Sequence, residues 1–143
     1  MTDAPVTAAT TNLALAGAQR VLTAALAHAV EEGVPMCVAV SDRAGRLLAY
    51  ARMDGAPAGC GQIAQDKAYS VAVFDGVPTH EWWSELEAEP PLLHGFVKTD
   101  RLVVFGGGVP VRVGGELVGA VGVSGGSTAE DRAVAEAGAA ALA

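Results

Sequence analysis

The feature that most constrains the fold is a glycine-punctuated run of β-forming residues near the end of the chain. Residues 102–126 read LVVFGGGVPVRVGGELVGAVGVSGG. Valine-rich stretches of this length favour strands, and the pair Gly114-Gly115 is typical of a tight hairpin turn. We therefore expect two or three antiparallel strands in this region, followed by a final alanine-rich helix that begins with the capping-box pair Ser127 and Glu130.

The first half of the chain adds a helix and a second hairpin. Leu15, Leu22, Leu26 and Val30 recur at helical spacing within residues 12–32, and Gly33 stands where a C-terminal capping glycine belongs. Residues 36–52 then alternate as two strands joined by a short turn, and residues 62–74 return to a helical pattern. This order predicts an α+β domain with an antiparallel sheet and helices on one of its faces.

A further short helix is expected after Pro78. Thr79 is its predicted N-cap, and the pair Pro90-Pro91 is predicted to end it. A polar connection should then lead to the glycine-rich strands.

Length and composition exclude several classes of protein. The 143 residues fit one domain, predicted over residues 12–143 behind a disordered tail at residues 1–11. No apolar run reaches the roughly 20 residues of a membrane span, and no secretory signal is visible, so a cytoplasmic protein is expected. The net charge of -7 argues against a nucleic-acid partner. Cys37 and Cys60 are expected to be reduced thiols.

Several blocks of the sequence resemble one known family. They are VAVSDRAGRLLAYARMDGAPAGCGQIAQDKAYSVA, then Pro78-Thr79, then GGGVPVRVGGELVGAVGVSGG with Asp131 behind it. Together they are similar to the GlcG/HbpS type of domain, which also forms the C-terminus of PduO-like cobalamin adenosyltransferases. The resemblance implies a profilin-like α+β fold, assembly as a homo-oligomer, and in some members heme binding. Residues 80–105 depart from the family pattern.

A charged loop and a helical lysine form the first candidate site. Arg52, Met53 and Asp54 precede the helix that carries Lys67, and such groups could hold an anionic ligand. The alternative is an internal Asp54–Lys67 salt bridge that fastens the loop to the helix.

Three histidines could ligate iron if heme binds: His28, His80 and His94. None has zinc-site spacing, so no metal-ion site is expected. Of Trp82 and Trp83, one should face inward, and Trp83 is a candidate for contact with a flat ligand. Core packing or a subunit contact is the more frequent explanation of such a tryptophan.

Glycine-rich backbone supplies the remaining candidates. Gly107 would let backbone amides approach a ligand, and Ser124 ends a strand just before a helix N-terminus, where an anion could bind. A bulge at Gly107 is the structural alternative. Thr79 completes the predicted ligand contacts.

These features support three hypotheses. The first is a cytosolic protein that binds a small molecule, heme or another flat aromatic. The second is an enzyme that uses the same pocket, with Asp54, Lys67, His80 or His94 as acid or base, on a small aromatic or carbonyl metabolite. The third is an accessory subunit without a ligand.

Overall fold

A computed structural model describes residues 3–143 as one α+β domain. The helices are α1 (Leu15–Glu32), α2 (Cys60–Val73), α3 (Trp83–Ala88), α4 (Pro90–Phe96) and α5 (Thr128–Ala140), and the strands are β1 (Cys37–Asp42), β2 (Leu47–Arg52), β3 (Gly108–Val113) and β4 (Glu116–Ser124). A 3₁₀ turn spans Thr79–Glu81. None of the helices among these residues is long and apolar enough to cross a membrane.

The four strands form one antiparallel sheet in the order β2-β1-β4-β3. The predicted turn at Gly114-Gly115 is confirmed, and both glycines have positive φ, 58° and 81°. That backbone is strained for residues with a side chain, so glycine suits this two-residue turn. The two hairpins meet at β1 and β4, which are the buried central strands.

The helices cover both faces of the sheet, so the expectation that they share one face is wrong. Helix α1 packs on β1 and β2, and α5 packs on β3 and β4 of the same face. Helix α2 packs on the opposite face, mainly over β4, β1 and β3. Because successive strand residues point to opposite faces, β1 buries all of its side chains between the two layers.

Helix α1 uses a different face from the one that its leucines suggested. The buried residues are Ala18, Val21, Ala25 and Ala29. They face α5, where Gly138 lies against Val21 and Ala25. Such close helix contact admits only small side chains, so the bulkier residues are displaced: Leu15 and Val30 are exposed, and Leu22 and Leu26 are only partly buried. Gly33 caps the helix with φ 71°, as predicted.

The segment between α2 and β3 also differs from its prediction. Thr79 does not cap a helix; its buried hydroxyl accepts a hydrogen bond from the Gly108 amide, with Oγ1 and N 2.9 Å apart. Helix α3 ends at Ala88, before Pro90-Pro91 as predicted, but Pro90 also begins the unpredicted helix α4, since proline is well suited to a first helical position. Trp82 is the inward tryptophan and packs between Phe74 and Phe96, with ring centroids 5.1 and 4.7 Å away.

The first eleven residues, predicted as a disordered tail, precede the first helix. Met1 and Thr2 lie outside the described residues, and residues 3–11 are exposed and form neither helix nor strand. The chain joins the domain at Leu13, whose amide donates to the Val118 carbonyl. The capping box of α5 is confirmed: Ser127 and Glu130 each accept from the other's backbone amide.

Candidate functional site

Lys67 lies on α2 with its ammonium fully buried against β4 and α5. Its Nζ donates to the Val123 carbonyl at 2.8 Å and to Oδ2 of Asp131 at 3.0 Å. The side chains of Lys67 and Asp131 are only 1% and 4% exposed. The ring of Phe105 lies 5.0 Å from Nζ, within range of a cation–π contact. Lys67 therefore has a complete set of partners inside the protein.

Burial favours the neutral forms of Lys67 and Asp131, whereas the charge of each group favours the charged form of the other. Loss of water lowers the pKa of Lys67, while the Asp131 carboxylate acts to raise it. Burial likewise raises the pKa of Asp131, against the effects of Lys67 and of the Gly126 amide that donates to Oδ1 at 2.9 Å. The charge of each group therefore opposes the effect of burial on the other.

The alternative partner predicted for Lys67 is not the one observed. Asp54 is exposed in the loop after β2, and within residues 3–143 it takes part in no ion pair. The partner is Asp131, which is 64 residues further along the chain. The buried pair thus joins α2 to the start of α5 instead of fastening the loop to α2.

Glycines make room for this pair. A Cβ atom on Gly107, whose φ is 128°, would lie 2.6 Å from Nζ of Lys67. A Cβ on Gly122 would lie 2.1 Å from the Ala64 carbonyl oxygen and 2.6 Å from the Ala68 nitrogen of α2. Close packing against Lys67 therefore accounts for glycine at position 107, which is a different reason from the bulge considered above.

A groove opens beside His80. Its volume is about 370 Å³, and it runs between β3 and the last turns of α5. Its apolar wall consists of Pro78, Val109, Pro110, Ala139 and Ala140, and its polar groups belong to His80, Glu81, Arg112, Arg132 and Glu136. A neighbouring hollow of about 400 Å³ at Gly106 and Thr128 shares His80, Arg132 and Glu136. We call the first of these the His80 groove.

His80 is the group in this groove whose bonding is incomplete. Its Nδ1 is buried and has no hydrogen-bond partner among the described residues, and its Nε2 lies 3.9 Å from Oε1 of Glu81. Burial, and then the positive charge of Arg132, lowers the pKa of His80. The imidazole is therefore neutral at pH 7, which is the form that binds metals.

Among the other predicted ligand contacts, Ser124 is next to the Val123 that Lys67 contacts, and the rest lie elsewhere. Arg52 and Met53 are at the β2 edge of the sheet, where Arg52 donates to the Ala56 carbonyl and the Met53 sulfur accepts from the Met36 amide. Ser124 is buried at the end of β4, opposite Cys37 of β1. Trp83 is 53% exposed on α3.

The histidines are also far apart in the fold. His28 lies on α1 beside Glu31 and Glu32, with Nε2 3.2 Å from Oε1 of Glu32, and His94 is exposed on α4. The structure therefore brings Lys67, Thr79, His80 and Gly107 into one region beside Ser124, and it leaves the remaining candidates outside that region. No cluster of three or more His, Cys, Asp or Glu within residues 3–143 could hold a metal ion.

Sequence reasoning did not assign Asp131, Arg132 or Phe105 to the site. Asp131 was noticed only as part of a family pattern, although its place at the start of a helix gave a local reason to examine it. Arg132 and Glu136 have the i, i+4 spacing of a surface ion pair, which they form at 2.8 Å. Nothing local indicates that this part of α5 lies beside His80.

Comparison with known proteins places the chain in a family. Residues 13–140 match the family model described as "Haem degrading protein HbpS-like". An uncharacterised 15.0 kDa protein from the dhaT-dhaS intergenic region of Citrobacter freundii is 38% identical over 126 residues, 87% of each chain.

Two solved structures show the same fold. The Klebsiella pneumoniae protein ORFY superposes with a TM-score of 0.91 and 30% identity, over 99% of this chain and 97% of that one. The PduOC:heme complex superposes with a TM-score of 0.81 and 27% identity, over 92% and 96%. The expected resemblance is confirmed, and the chain belongs to the HbpS-like family.

Proposed function

We propose that this protein binds a flat, carboxylate-bearing small molecule, heme in the first place, in the His80 groove. The observation that carries the proposal is the unpaired Nδ1 of His80 beside a groove with one apolar wall. A buried polar atom without a partner costs roughly 1–3 kcal/mol, and such atoms in native proteins call for an explanation. A histidine that positions its ring for a ligand supplies one.

The groove contains the kinds of side chain that bind heme in proteins. His80 is neutral at pH 7 and would serve as the iron ligand, Pro78, Val109 and Pro110 would contact the porphyrin face, and Arg112 and Arg132 would pair with the propionates. Bound heme would supply one-electron and oxygen chemistry. The family match and the heme-bound PduOC relative support heme over other flat ligands.

The acid–base enzyme considered above has less support. Its four candidate residues do not share a pocket, since Asp54 and His94 are exposed on separate elements and Lys67 is saturated with internal partners. A second hollow, of about 410 Å³, is lined by residues 11–14 and by the last residues of the chain. It has less to offer for acid–base catalysis, because its one charged side chain, Arg20, already donates to the Ala141 carbonyl.

Titration with hemin tests the proposal. Wild-type protein should give a Soret band that saturates at one heme per chain, and His80→Ala should weaken binding by at least roughly tenfold, the loss of an iron ligand being worth more than 1.4 kcal/mol. His94→Ala and His28→Ala are matched controls that should bind as the wild type does. Unchanged binding in His80→Ala, or loss in either control, would place the ligand elsewhere.

A further inference from the structure

The two cysteines of the chain lie on the face of the sheet that α2 covers. Cys37 begins β1 and is completely buried, and Cys60 is the first residue of α2. Both are free thiols. Cys60 packs against a small cluster that consists of Cys37, Ala39, Ala56 and Ala64. The fold therefore brings together two thiols that are distant in the sequence.

The hydroxyl of Tyr50 lies between Cys37 and the first turn of α2. It donates to Sγ of Cys37 at 3.6 Å, and a Cβ on Gly61, the residue after Cys60, would clash with the same oxygen. The hydrogen bond to the sulfur, and then burial, raises the pKa of Tyr50, so the phenol stays protonated and remains the donor. Tyr50 thus fixes the Cys37 sulfur on the side of β1 that faces Cys60.

The surroundings of Cys60 are those of a reactive thiol. Cys60 is partly exposed at the N-terminus of a 14-residue helix, whose dipole favours negative charge there. Arg52, the cross-strand partner of Cys37, donates to the Ala56 carbonyl of the same cluster and adds a positive charge nearby. Oxidants react preferentially with thiols that are accessible and close to positive charge. Cys60 is therefore the thiol that an oxidant in solution reaches first.

The first turn of α2 is the part that can move. Its N-cap, Gly59, has no side chain to hold the first backbone amides. A disulfide brings its two Cα atoms to about 4.4–6.8 Å from each other. Any movement needed to reach that spacing falls on this uncapped turn, because β1 is paired on both sides in the middle of the sheet.

We propose that Cys37 and Cys60 form a reversible intrachain disulfide when the protein meets a peroxide, and that this bond joins the start of α2 to β1. The Cys60 thiolate attacks hydrogen peroxide, the O–O bond breaks, and the hydroxide leaves as water with the proton that the thiol released; Cys60 becomes a sulfenic acid. The Cys37 sulfur then attacks the Cys60 sulfur, the S–O bond breaks, and the hydroxyl leaves as water with the Cys37 proton. Two thiols and one peroxide thus give one disulfide and two molecules of water.

This pair of thiols is separate from the proposed heme site. The His80 groove is lined by β3, α5 and the segment that follows α2, and neither cysteine belongs to it. The disulfide can therefore form in protein that is free of heme, so its test and the hemin titration can fail independently.

Peroxide treatment of reduced, heme-free protein tests the proposal, with the remaining thiols alkylated in denaturant and counted by mass spectrometry. Trypsin places the two cysteines in separate peptides, residues 21–43 and 53–67. Wild-type protein should lose both alkylatable thiols together and keep the mass of a single chain. It should also yield the two peptides joined by a bond that dithiothreitol breaks.

Two variants separate the steps of the reaction. Cys37→Ser should stop at the sulfenic acid of Cys60, which dimedone traps. Cys60→Ser should slow the loss of the Cys37 thiol by at least roughly tenfold, because Cys37 is buried. Circular dichroism would establish that both variants are folded. Wild-type protein that keeps either thiol, cysteines that join different chains, or rapid oxidation of Cys37 in Cys60→Ser would overturn the proposal.

Discussion

Replacing Lys67 by methionine tests what the buried ion pair contributes. The substitution keeps the length of the side chain and removes its charge, and it leaves Asp131 with the Gly126 amide as its hydrogen-bond donor. Breaking a buried pair by removing one partner usually costs about 3–5 kcal/mol. The Val123 carbonyl also loses the donor that lies 2.8 Å away. We expect a loss near the lower end of that range, because Asp131 can take up a proton.

The effect of pH follows from that proton. Without Lys67, burial still raises the pKa of Asp131, and the opposing positive charge is gone. A group whose pKa is higher in the folded than in the unfolded state adds stability at low pH and loses it as the pH rises through the folded value. The deficit of Lys67→Met relative to wild type should therefore shrink when the pH is lowered from 7 to 5.

Urea unfolding followed by tryptophan fluorescence would measure both effects. Lys98→Met is the matched control, since Lys98 is exposed, and it should change the free energy of unfolding by less than about 0.5 kcal/mol. The double variant Lys67→Met/Asp131→Leu should be more stable than Lys67→Met, because no charge remains buried. A loss below about 1 kcal/mol at pH 7, or a deficit that grows as the pH falls, would refute this account of the pair.

Three further predictions concern packing and ligation. Gly122→Ala should lower the free energy of unfolding by several kcal/mol or prevent folding, because the added Cβ would clash with the backbone of α2. Gly59→Ala should leave the melting temperature nearly unchanged, because no atom lies within 4 Å of the added Cβ. Trp82→Ala should lower the stability by about 3 kcal/mol and Trp83→Ala by much less, since only Trp82 packs against other rings. If His80 ligates heme, a pH titration of the Soret band should show binding lost only below the usual histidine pKa of 6.5, because burial lowers the pKa of His80.

Features set by local chemistry were predictable from the sequence. The turn at Gly114-Gly115, the cap at Gly33 and the Ser127–Glu130 capping box each depend on a few neighbouring residues, and all three are confirmed. The family resemblance extended this to the whole fold, because its blocks occur in order along nearly all of the chain.

Features set by contacts between distant elements were not predictable in the same way. The leucines of α1 have the stronger hydrophobic signal, yet contact with α5 requires alanine and glycine at the helix crossing. For Lys67, the nearby Asp54 was the natural partner in sequence, and the position of Asp131 at the start of a helix does not by itself point to Lys67. The sequence therefore singled out Lys67 and His80 as candidates but gave no indication of the groups that surround them.

Gly122 of β4 shapes both the buried Lys67–Asp131 pair and the surroundings of the hollow beside His80. Because Gly122 has no side chain, α2 can lie against the sheet at backbone distance, and Lys67 can extend past the strand to the Val123 carbonyl and Asp131. The pair holds the start of α5 through the Gly126 amide, and Gly107, which accepts from the Val123 amide, is held against the same pair. Gly106 precedes Gly107 in the chain, and Thr128 is two residues after Gly126. Both Gly106 and Thr128 border the hollow beside His80. If a ligand binds at His80, a substitution that releases the pair should therefore weaken that binding without touching the ligand, and Lys67 would be a positioning residue.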